Sequence, residues 1–352
     1  MNALEAKNEA QKIAFSPFVF QTAVCLIELG ILEFINENKR INPVTIVDIA
    51  KKLNLSEYGV KVLVEMAVSA EILEENENKQ LTLSKTGLFL LMDKMTRVNL
   101  HFTNDICYEG LYHLKEAITT GKPAGLKMLG DWQTIYIGLS KLTDKQKKSW
   151  FDFDHYYSDH SFDDALKIIF KYQPKLMYDI GGNTGKWAIA ATNYNTDIQV
   201  KLLDLPGQIA IAQENIHSKG KIAERVSFFA IDMLNPESEI PAGADAYWMS
   251  QFLDCFGEHE IEMILKKIKK TMKPDADVYI METFIDNQTF PAATFSLVAT
   301  SLYFTVMANG NSKMYSLSSF LYIIDKAGFE LVEQYPLIGG GYHTILHIKM
   351  KK

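Results

Sequence analysis

The chain has 352 residues, of which 47% are hydrophobic and 22% charged, and its formal net charge is −7. This length favours two domains over one, and the acidic balance argues against a nucleic-acid or anionic-membrane partner. Three widely separated cysteines, Cys25, Cys107 and Cys255, have no metal-binding spacing and suit a reducing compartment. Without a signal segment or a run of about 20 apolar residues, we expect a cytoplasmic protein.

The first hundred residues predict helices followed by a short hairpin. Residues 14–34 are apolar around the whole circumference, which is typical of a helix buried in a core or a subunit interface. A short helix is predicted over 44–53, and Ser56 can cap the next one. Residues 72–75 and 80–83, joined by a polar turn, predict a two-stranded wing. Three helices and this wing make a winged-helix plan.

A winged helix can bind DNA, but the charge of this one is unsuitable. Residues 1–105 contain 11 lysines and arginines against 14 aspartates and glutamates. Such a surface repels phosphates. We therefore expect residues 1–105 to be a dimerisation domain.

Residues 106–168 are expected to be a helical connector that contributes to a substrate pocket. They end in an aromatic and acidic segment, residues 150–161 (WFDFDHYYSDHS). One interpretation is a helix with an aromatic core face and a solvated acidic face. The other is one wall of the pocket, with His155 facing a substrate.

From residue 169 to 352, apolar runs alternate with helical segments, which indicates a mostly parallel α/β sheet of the Rossmann-like type. The last strand must be antiparallel to the strand before it, since the three glycines 339–341 are too few for a parallel crossover. Strands are predicted at 175–180, 198–204, 226–231, 245–252, 277–285, 329–337 and 342–350. Helices are predicted near 185–194, 207–219, 258–272, 293–308 and 316–327.

The first strand of this sheet leads into a glycine-rich turn (LMYDIGGNTGKW, residues 176–187). Gly181 and Gly182 would let a ligand approach the main chain closely. Ile180 stands where a dinucleotide fingerprint needs its first glycine. Asp179 discourages a pyrophosphate there but suits a cationic amino group.

The next two strand ends also carry acids. Asp204, followed by Leu205, lies where a carboxylate can accept two ribose hydroxyls. Asp232 and Met233 can hold an exocyclic amine and cover an adenine. Three strand ends of this kind predict S-adenosylmethionine as the cofactor rather than a nicotinamide or a flavin.

With these motifs, the chain resembles the plant-type, metal-independent O-methyltransferases that include the caffeate, isoflavone and hydroxyindole enzymes. The matching segments are residues 23–31 (AVCLIELGI), 81–87 (LTLSKTG), 179–185 (DIGGNTG) and 204–206 (DLP). The resemblance implies a homodimer whose N-terminal helices reach the partner's substrate pocket. It also implies methylation of a hydroxyl on a small aromatic or polyketide-like acceptor.

The catalytic half departs from that family's pattern. Where the family has a histidine base, this sequence has Asp254, and Ser250 stands where a lysine is often found near the cofactor. Glu282 matches the acid that supports the histidine, but Ser312 replaces a second acid. Three accounts stay open: Asp254 is the base for a hydroxyl, an activated ring carbon is methylated by positioning alone, or the chain binds the cofactor without turnover.

The remaining candidates are weaker. We expect His259 to be solvated, and His343 and His347 to be structural. Asp254 and Glu282 have no third ligand at recognisable spacing, so no metal is expected. The resemblance implies that Phe304 and Met307, on a helix after the fifth strand, line the acceptor site.

Overall fold

The computed structural model describes residues 1–39 and 43–352, which fall into two compact units, Met1–Asn104 and Asp105–Lys352. The first unit is helical with one antiparallel hairpin. Its elements are α1 Ala3–Ala14, α2 Ser16–Glu28, α3 Ile31–Asn38, α4 Ile46–Leu53, α5 Glu57–Ser69, β1 Leu73–Glu75, β2 Leu81–Leu83, α6 Lys85–Met92 and α7 Lys94–Phe102.

Local sequence signals explain most of this unit, with one correction. The Ser56 hydroxyl accepts a hydrogen bond of 2.9 Å from the Gly59 amide, which confirms the predicted cap of α5. The prediction of a single helix over 14–34 is wrong, because the chain breaks between α2 and α3. Gly30 has a φ of +73°, a left-handed conformation that glycine adopts without steric cost, and it starts α3 there.

The second unit is built around a seven-stranded sheet. Its strands are β3 Leu176–Ile180, β4 Gln199–Asp204, β5 Val226–Ala230, β6 Ala246–Ser250, β7 Asp277–Glu282, β8 Phe329–Ile338 and β9 His343–Met350. Their order is β5-β4-β3-β6-β7-β9-β8, with β3 to β7 parallel and β9 antiparallel to both of its neighbours. The predicted fold class, a mostly parallel sheet whose last strand is antiparallel, is confirmed.

Helices cover both faces of this sheet. The α-helices of the described part of the second unit are α8 Leu114–Thr120, α9 Ile135–Gly138, α10 Asp144–Ser158, α11 Phe162–Ile169, α12 Lys186–Tyr194, α13 Pro206–His217, α14 Glu258–Thr271, α15 Pro291–Tyr303 and α16 Leu317–Lys326. One apolar core packs α14 and α16 against the sheet, and the other packs α11, α12 and α13 against the opposite face. Burial on both faces explains why the strands are apolar runs rather than alternating patterns.

The strand order positions the site. The chain proceeds from β3 outward to β4 and β5, then returns to the other side of β3 for β6. At such a switch point the connections leave in opposite directions and open a crevice outside the carboxyl ends of the strands. The residues that end β3, β4, β6 and β7 therefore lie along one edge of the sheet.

Several elements end earlier than predicted, and three of them lie next to the site. β6 stops at Ser250, because Gln251 takes a φ of +46° and residues 253–255 form a 3₁₀ turn. β7 stops at Glu282 rather than 285. The α-helical part of 293–308 ends at Tyr303, and residues 304–308 continue as a π-helical turn.

Among the described residues, Pro291–Ala308 is long and apolar enough to span a membrane by length and composition, and the bent pair α1 and α2 passes if counted as one span. Of the window Pro291–Ala308, 44% is buried inside the protein. Core helices of globular proteins pass the same test.

Candidate active site

The glycine turn after β3 accepts no side chain at its first two glycines. Gly181 has a φ of +72°, and a Cβ there would lie 2.2 Å from the Phe252 ring. A Cβ on Gly182 would lie 2.7 Å from Asp179 Oδ2. Both distances are far below van der Waals contact. A side chain at either position would force the Phe252 ring or the Asp179 carboxylate to move, so glycine fits the turn best.

Asp179 and Asp204 end neighbouring strands above this turn. Asp204 accepts hydrogen bonds from the Asn183 amide (2.8 Å) and the Leu205 amide (2.7 Å), which fix its carboxylate. Burial raises the pKa of Asp204 to about 6, and these two hydrogen bonds oppose the rise. Burial, with the charge of Asp204, raises the pKa of Asp179 to about 8.

Asp179 Oδ2 is buried and has no hydrogen-bond partner within residues 1–39 and 43–352. An acid pair whose proton affinity is raised by burial and mutual repulsion favours a positively charged ligand. The unpaired oxygen of Asp179 fits the amino group of S-adenosylmethionine. The carboxylate of Asp204, fixed by two backbone amides, fits the ribose of the same cofactor. The residues present therefore fit the predicted cofactor.

The other residues predicted to bind the cofactor differ in exposure. Asp232 is exposed, and its Oδ1 accepts a hydrogen bond of 2.9 Å from the Leu234 amide. Met233 is buried in the core beneath α14. Leu205 is half-buried at the start of α13. Ser250 ends β6, and its buried Oγ has no partner in the described part of the chain.

The structure brings Asp254 and Glu282 together, as the sequence predicted. Asp254 lies in the 3₁₀ turn after β6, and Glu282 ends β7. Glu282 Oε1 accepts hydrogen bonds from the amides of Phe252 (3.2 Å) and Leu253 (2.9 Å), in the same turn. Both acids are buried, with 4% of Asp254 and 1% of Glu282 exposed.

Burial raises the pKa of both acids. It raises the pKa of Asp254 to about 6. It raises the pKa of Glu282 well above its ordinary range, and the charge of Asp254 adds to the rise. Since like charges at close range disfavour double ionisation, the two carboxyl groups hold a proton more tightly together than either would in water.

Asp154, on α10, is a third acid at this site, and sequence reasoning did not choose it. Its Oδ2 accepts a hydrogen bond of 3.2 Å from Asn183 Nδ2, in the glycine turn. Burial raises its pKa to about 7, and the charge of Asp254 is the next largest cause. Its side chain is nevertheless 28% accessible. Asp154 is therefore a partly accessible acid beside the glycine turn.

His155, the neighbour that the sequence favoured, has a different environment. Its ring stacks on Phe151 at 5.8 Å, and its Nδ1 lies 3.7 Å from Asp159 Oδ1. Burial lowers its pKa, and the charge of Lys186 lowers it further. Asp154 and His155 are adjacent in sequence, so pattern alone gave no reason to prefer the acid.

Two tyrosines and a cysteine complete the surroundings of the acids. Cys255 Sγ donates to Asp254 Oδ1 at 3.5 Å. Burial and the nearby Cys255 thiol raise the pKa of Tyr136. Trp150 Nε1 donates to the Tyr303 hydroxyl at 3.0 Å, and burial raises the pKa of Tyr303. Tyr136 lies in the connector with no recognisable motif, so no sequence signal could have found it.

Phe304 and Met307 are buried in the packing between the π-helical turn and the connector. The Met307 sulfur occupies the space beside Gly110, where a Cβ would lie 2.0 Å from it. The Gly125 amide donates to the Val306 carbonyl at 2.9 Å, which joins the same two segments. Their expected contact with an acceptor stays a prediction.

The remaining polar candidates have structural surroundings. Ser312 donates to Asn309 Oδ1 at 2.7 Å and so closes a turn. His343 Nδ1 lies 3.0 Å from the Ser161 hydroxyl, and His347 Nε2 lies 2.6 Å from Asp277 Oδ1. His259 is exposed, as expected for a solvated residue.

Comparison with known proteins identifies the family. A model described as an O-methyltransferase domain matches residues 111–330, and one described as a Dimerisation2-like domain matches residues 7–80. Human N-acetylserotonin methyltransferase, solved in complex with SAM, shares the fold, with a TM-score of 0.68, 17% identity and coverage of 100% of both chains.

Two curated relatives match this chain over less than half of their own length. The dual O-methyltransferase/FAD-dependent monooxygenase CTB3 of Cercospora beticola is 22% identical over 325 residues, which are 87% of this chain and 36% of that protein. Mitomycin biosynthesis 6-O-methyltransferase of Streptomyces lavendulae is 28% identical over 171 residues, 49% of this chain and 46% of that protein. With more than half of its length matched by the domain model, the chain belongs to the O-methyltransferase domain family.

Proposed function

We propose that this chain transfers a methyl group from S-adenosylmethionine to a hydroxyl of a small aromatic or polyketide-like acceptor. The observation that carries the proposal is the row of buried acids along the carboxyl edge of the sheet. One pair, Asp179 and Asp204, suits a cationic nucleotide cofactor, and the other pair, Asp254 and Glu282, provides a base with a supporting acid.

The cofactor would be held by the ends of β3, β4, β5 and β6. Asp179 would pair with its amino group, and Asp204 would accept the ribose hydroxyls, since its position is fixed by two backbone amides. The proposed cofactor-binding residues are Asp179, Gly181, Gly182, Asp204, Leu205, Asp232, Met233 and Ser250. When bound, S-adenosylmethionine supplies an electrophilic methyl group on a sulfonium.

Asp254 would take the proton of the acceptor hydroxyl. An ordinary aspartate titrates near 4 and a phenol near 10, so about six units separate them. Burial closes about two of these, since it raises the pKa of Asp254 to about 6. Such a carboxylate is a modest base, and it is effective when proton transfer accompanies attack by the oxygen.

Glu282 would act as a positioning residue. It binds the amides of Phe252 and Leu253, so it fixes the turn that carries Asp254. Burial and the charge of Asp254 raise its pKa, which disfavours a second negative charge beside the base. Water exclusion follows from the burial of both acids, and it strengthens their electrostatic effect.

The acceptor class rests on the relatives. One relative is named for the biosynthesis of mitomycin, and human N-acetylserotonin methyltransferase is named for its acceptor; both names denote small ring compounds. The surroundings of Asp254 agree with a planar ring, since Tyr136 lies close enough to feel the charges of both Asp254 and Tyr303, and Trp150 hydrogen-bonds to Tyr303. His155, Phe304 and Met307 are the further residues proposed for the pocket.

Residues 1–105 would mediate a homodimer. The match of residues 7–80 to a Dimerisation2-like domain supports this role. So does the exposed apolar surface of α1 and α2, which includes Leu4, Ile13, Phe15 and Phe18. Residues 106–168 and 169–352 would then form the connector and the methyltransferase domain.

The test is a labelled methyl-transfer screen. Binding of S-adenosylmethionine is measured first by calorimetry, and a panel of phenols is then incubated with methyl-labelled cofactor. We expect S-adenosylhomocysteine to accumulate with an oxygen-methylated product. A product methylated on carbon would exclude hydroxyl transfer, while cofactor binding without any product would indicate a binding protein.

A further inference from the structure

The loop between β5 and β6 carries two of the proposed cofactor-binding residues, Asp232 and Met233. Residues 231–245 form neither helix nor strand. A segment of this kind has no backbone ladder of its own, so its conformation depends on hydrogen bonds within the loop and to neighbouring elements. The partners of this loop therefore decide how firmly Asp232 is placed.

A single lysine of α14 binds the loop at three points. Lys267 Nζ lies 3.0 Å from the Met233 carbonyl, 2.6 Å from the Asn235 carbonyl and 2.8 Å from the Ser238 hydroxyl. An ammonium has three donors, so the loop can use all of them. Lys267 is half-buried, and an ammonium withdrawn from water needs such acceptors. Hydrogen bonds from a charged donor are also stronger than neutral ones.

The hydrogen bonds within the loop converge on Asp232. Its carbonyl accepts from the Ser238 hydroxyl at 2.7 Å and from the Asn235 amide at 3.2 Å. Its Oδ1 accepts from the Leu234 amide at 2.9 Å, while the Asp232 side chain remains exposed. Lys267 binds both Ser238 and Asn235, so it holds the groups that hold Asp232. The lysine thus fixes the main chain around an acid that a ligand can still reach.

The neighbouring lysines of α14 make different contacts. Lys266 pairs with Glu262 of its own helix at 2.6 Å, and Lys269 donates to the Gly328 carbonyl at 3.0 Å. Of these three described lysines, Lys267 is the one that reaches the loop after β5. The contact is therefore specific to one position on the helix, and the two neighbours are matched controls for it.

We propose that Lys267 is a positioning residue for the cofactor, which fixes the loop after β5 so that Asp232 accepts a hydrogen bond from the exocyclic amine of adenine. Lys267 itself would not touch the nucleotide. This inference rests on the proposed function and adds to it the residue that keeps the adenine subsite in shape.

The test compares two ligands that differ only in the adenine amine. They are S-adenosylhomocysteine and its purine analogue, in which hydrogen replaces that amine. Each is titrated calorimetrically into the full-length protein, for which we expect S-adenosylhomocysteine to bind about tenfold more tightly, as for one hydrogen bond to a carboxylate. Lys267→Met keeps the apolar stem of the side chain. It should reduce this preference to below about threefold, through weaker binding of S-adenosylhomocysteine alone.

Lys266→Met and Lys269→Met are the controls, and both should keep the full preference for the amine. Lys269→Met also removes a bond from a lysine to a carbonyl, so it measures the effect of losing such a bond away from the site. Ser238→Ala is a milder second variant, which removes one acceptor of Lys267. It should lower the preference by about threefold and decides the matter if Lys267→Met does not fold.

A preference for the amine that survives in Lys267→Met overturns the inference. So does an equal loss of affinity for both ligands, which a merely structural role would produce. Failure of the unmutated protein to bind either ligand would remove the proposed function together with this inference. Equal binding of both ligands by the unmutated protein would leave the cofactor in place and remove only the roles of Asp232 and Lys267 in adenine recognition.

Discussion

Acids at the amino ends and acids at the carboxyl ends of the parallel strands have pKa values shifted in opposite directions. At the amino end, Asp245 accepts hydrogen bonds from two backbone amides and from Lys273, and Asp277 pairs with His347 and Lys349. Burial alone would raise the pKa of each, but these partners hold it below the ordinary value.

At the carboxyl end, Asp179, Asp204 and Asp254 form no ion pair with a cationic side chain of the described residues, and burial raises their pKa values. Asp179, Asp204 and Asp254 reach about 8, 6 and 6. The comparison shows that acids with partners stabilise the fold, whereas acids without cationic partners cost stability and are retained for a ligand or for proton transfer.

The largest expected effect is on the reaction. Asp254→Asn should lower the rate of methyl transfer by about a hundredfold or more, because it removes the base. Binding of S-adenosylmethionine should change little, which calorimetry checks. Glu258→Gln, an exposed acid at the start of α14, is the control. A near-normal rate in Asp254→Asn would show that positioning alone drives the transfer.

The next effect is a pH dependence of stability that comes from Asp179. The folded protein binds this proton more tightly than the unfolded chain, so between about pH 4 and pH 8 rising pH favours unfolding. Asp179→Asn abolishes the contribution. The free energy of unfolding of Asp179→Asn minus that of the unmutated protein should therefore be about 2–4 kcal/mol larger at pH 8 than at pH 5.

Denaturant titrations of the cofactor-free protein at the two pH values measure this change. Asp197→Asn, which alters an exposed acid, should show no such trend. If Asp179→Asn and the unmutated protein lost stability in parallel, Asp179 would not be the unneutralised acid that we describe.

At the amino end, the same kind of substitution should affect stability alone. Asp277→Ala deprives the buried His347 of its hydrogen bond and should cost about 1–3 kcal/mol of unfolding free energy. Methyl transfer below the melting temperature should stay within twofold. Asp275→Ala, an exposed neighbour, is the control. A large loss of turnover in folded Asp277→Ala would contradict the division between the two ends.

The smallest effect is expected for Lys273→Met. Lys273 lies 2.6 Å from Asp245, but its side chain is 45% exposed. Exposed ion pairs contribute little, so the loss should be below about 1 kcal/mol, as measured by thermal unfolding. A loss of more than twice that size would show that Lys273, rather than the two amides, neutralises Asp245.

The sequence predicted the cofactor edge because its signals are local. Asp179 stands directly before Gly181 and Gly182, and Asp204 stands before Leu205-Pro206, so strand ends and turns are visible as short motifs. The break at Gly30 was missed, since an apolar run of that length reads as one helix, and a single glycine in it is a weak signal.

The acceptor side could be predicted only in part. The pairing of Asp254 with Glu282 followed from the family's strand ends, which the chain retains. Asp154 and Tyr136 belong to the connector, and they reach the site only because that segment packs against the sheet edge. Neither has a spacing or a neighbour in sequence that distinguishes it from other residues of the connector.

By itself, the sequence determined the order of strands and helices, the glycine turn and the acids that end each strand, because these depend on short-range sterics and on apolar periodicity. Only the tertiary structure decided which acids are neutralised. Asp277 and Asp254 are the same residue type near opposite ends of strands. His347 and Lys349 reach Asp277 from β9, which is distant in sequence but pairs with β7. Among the residues described, no cationic side chain forms an ion pair with Asp254. Long-range folding sets the charge balance at each acid, and that balance separates the structural acids from the functional ones.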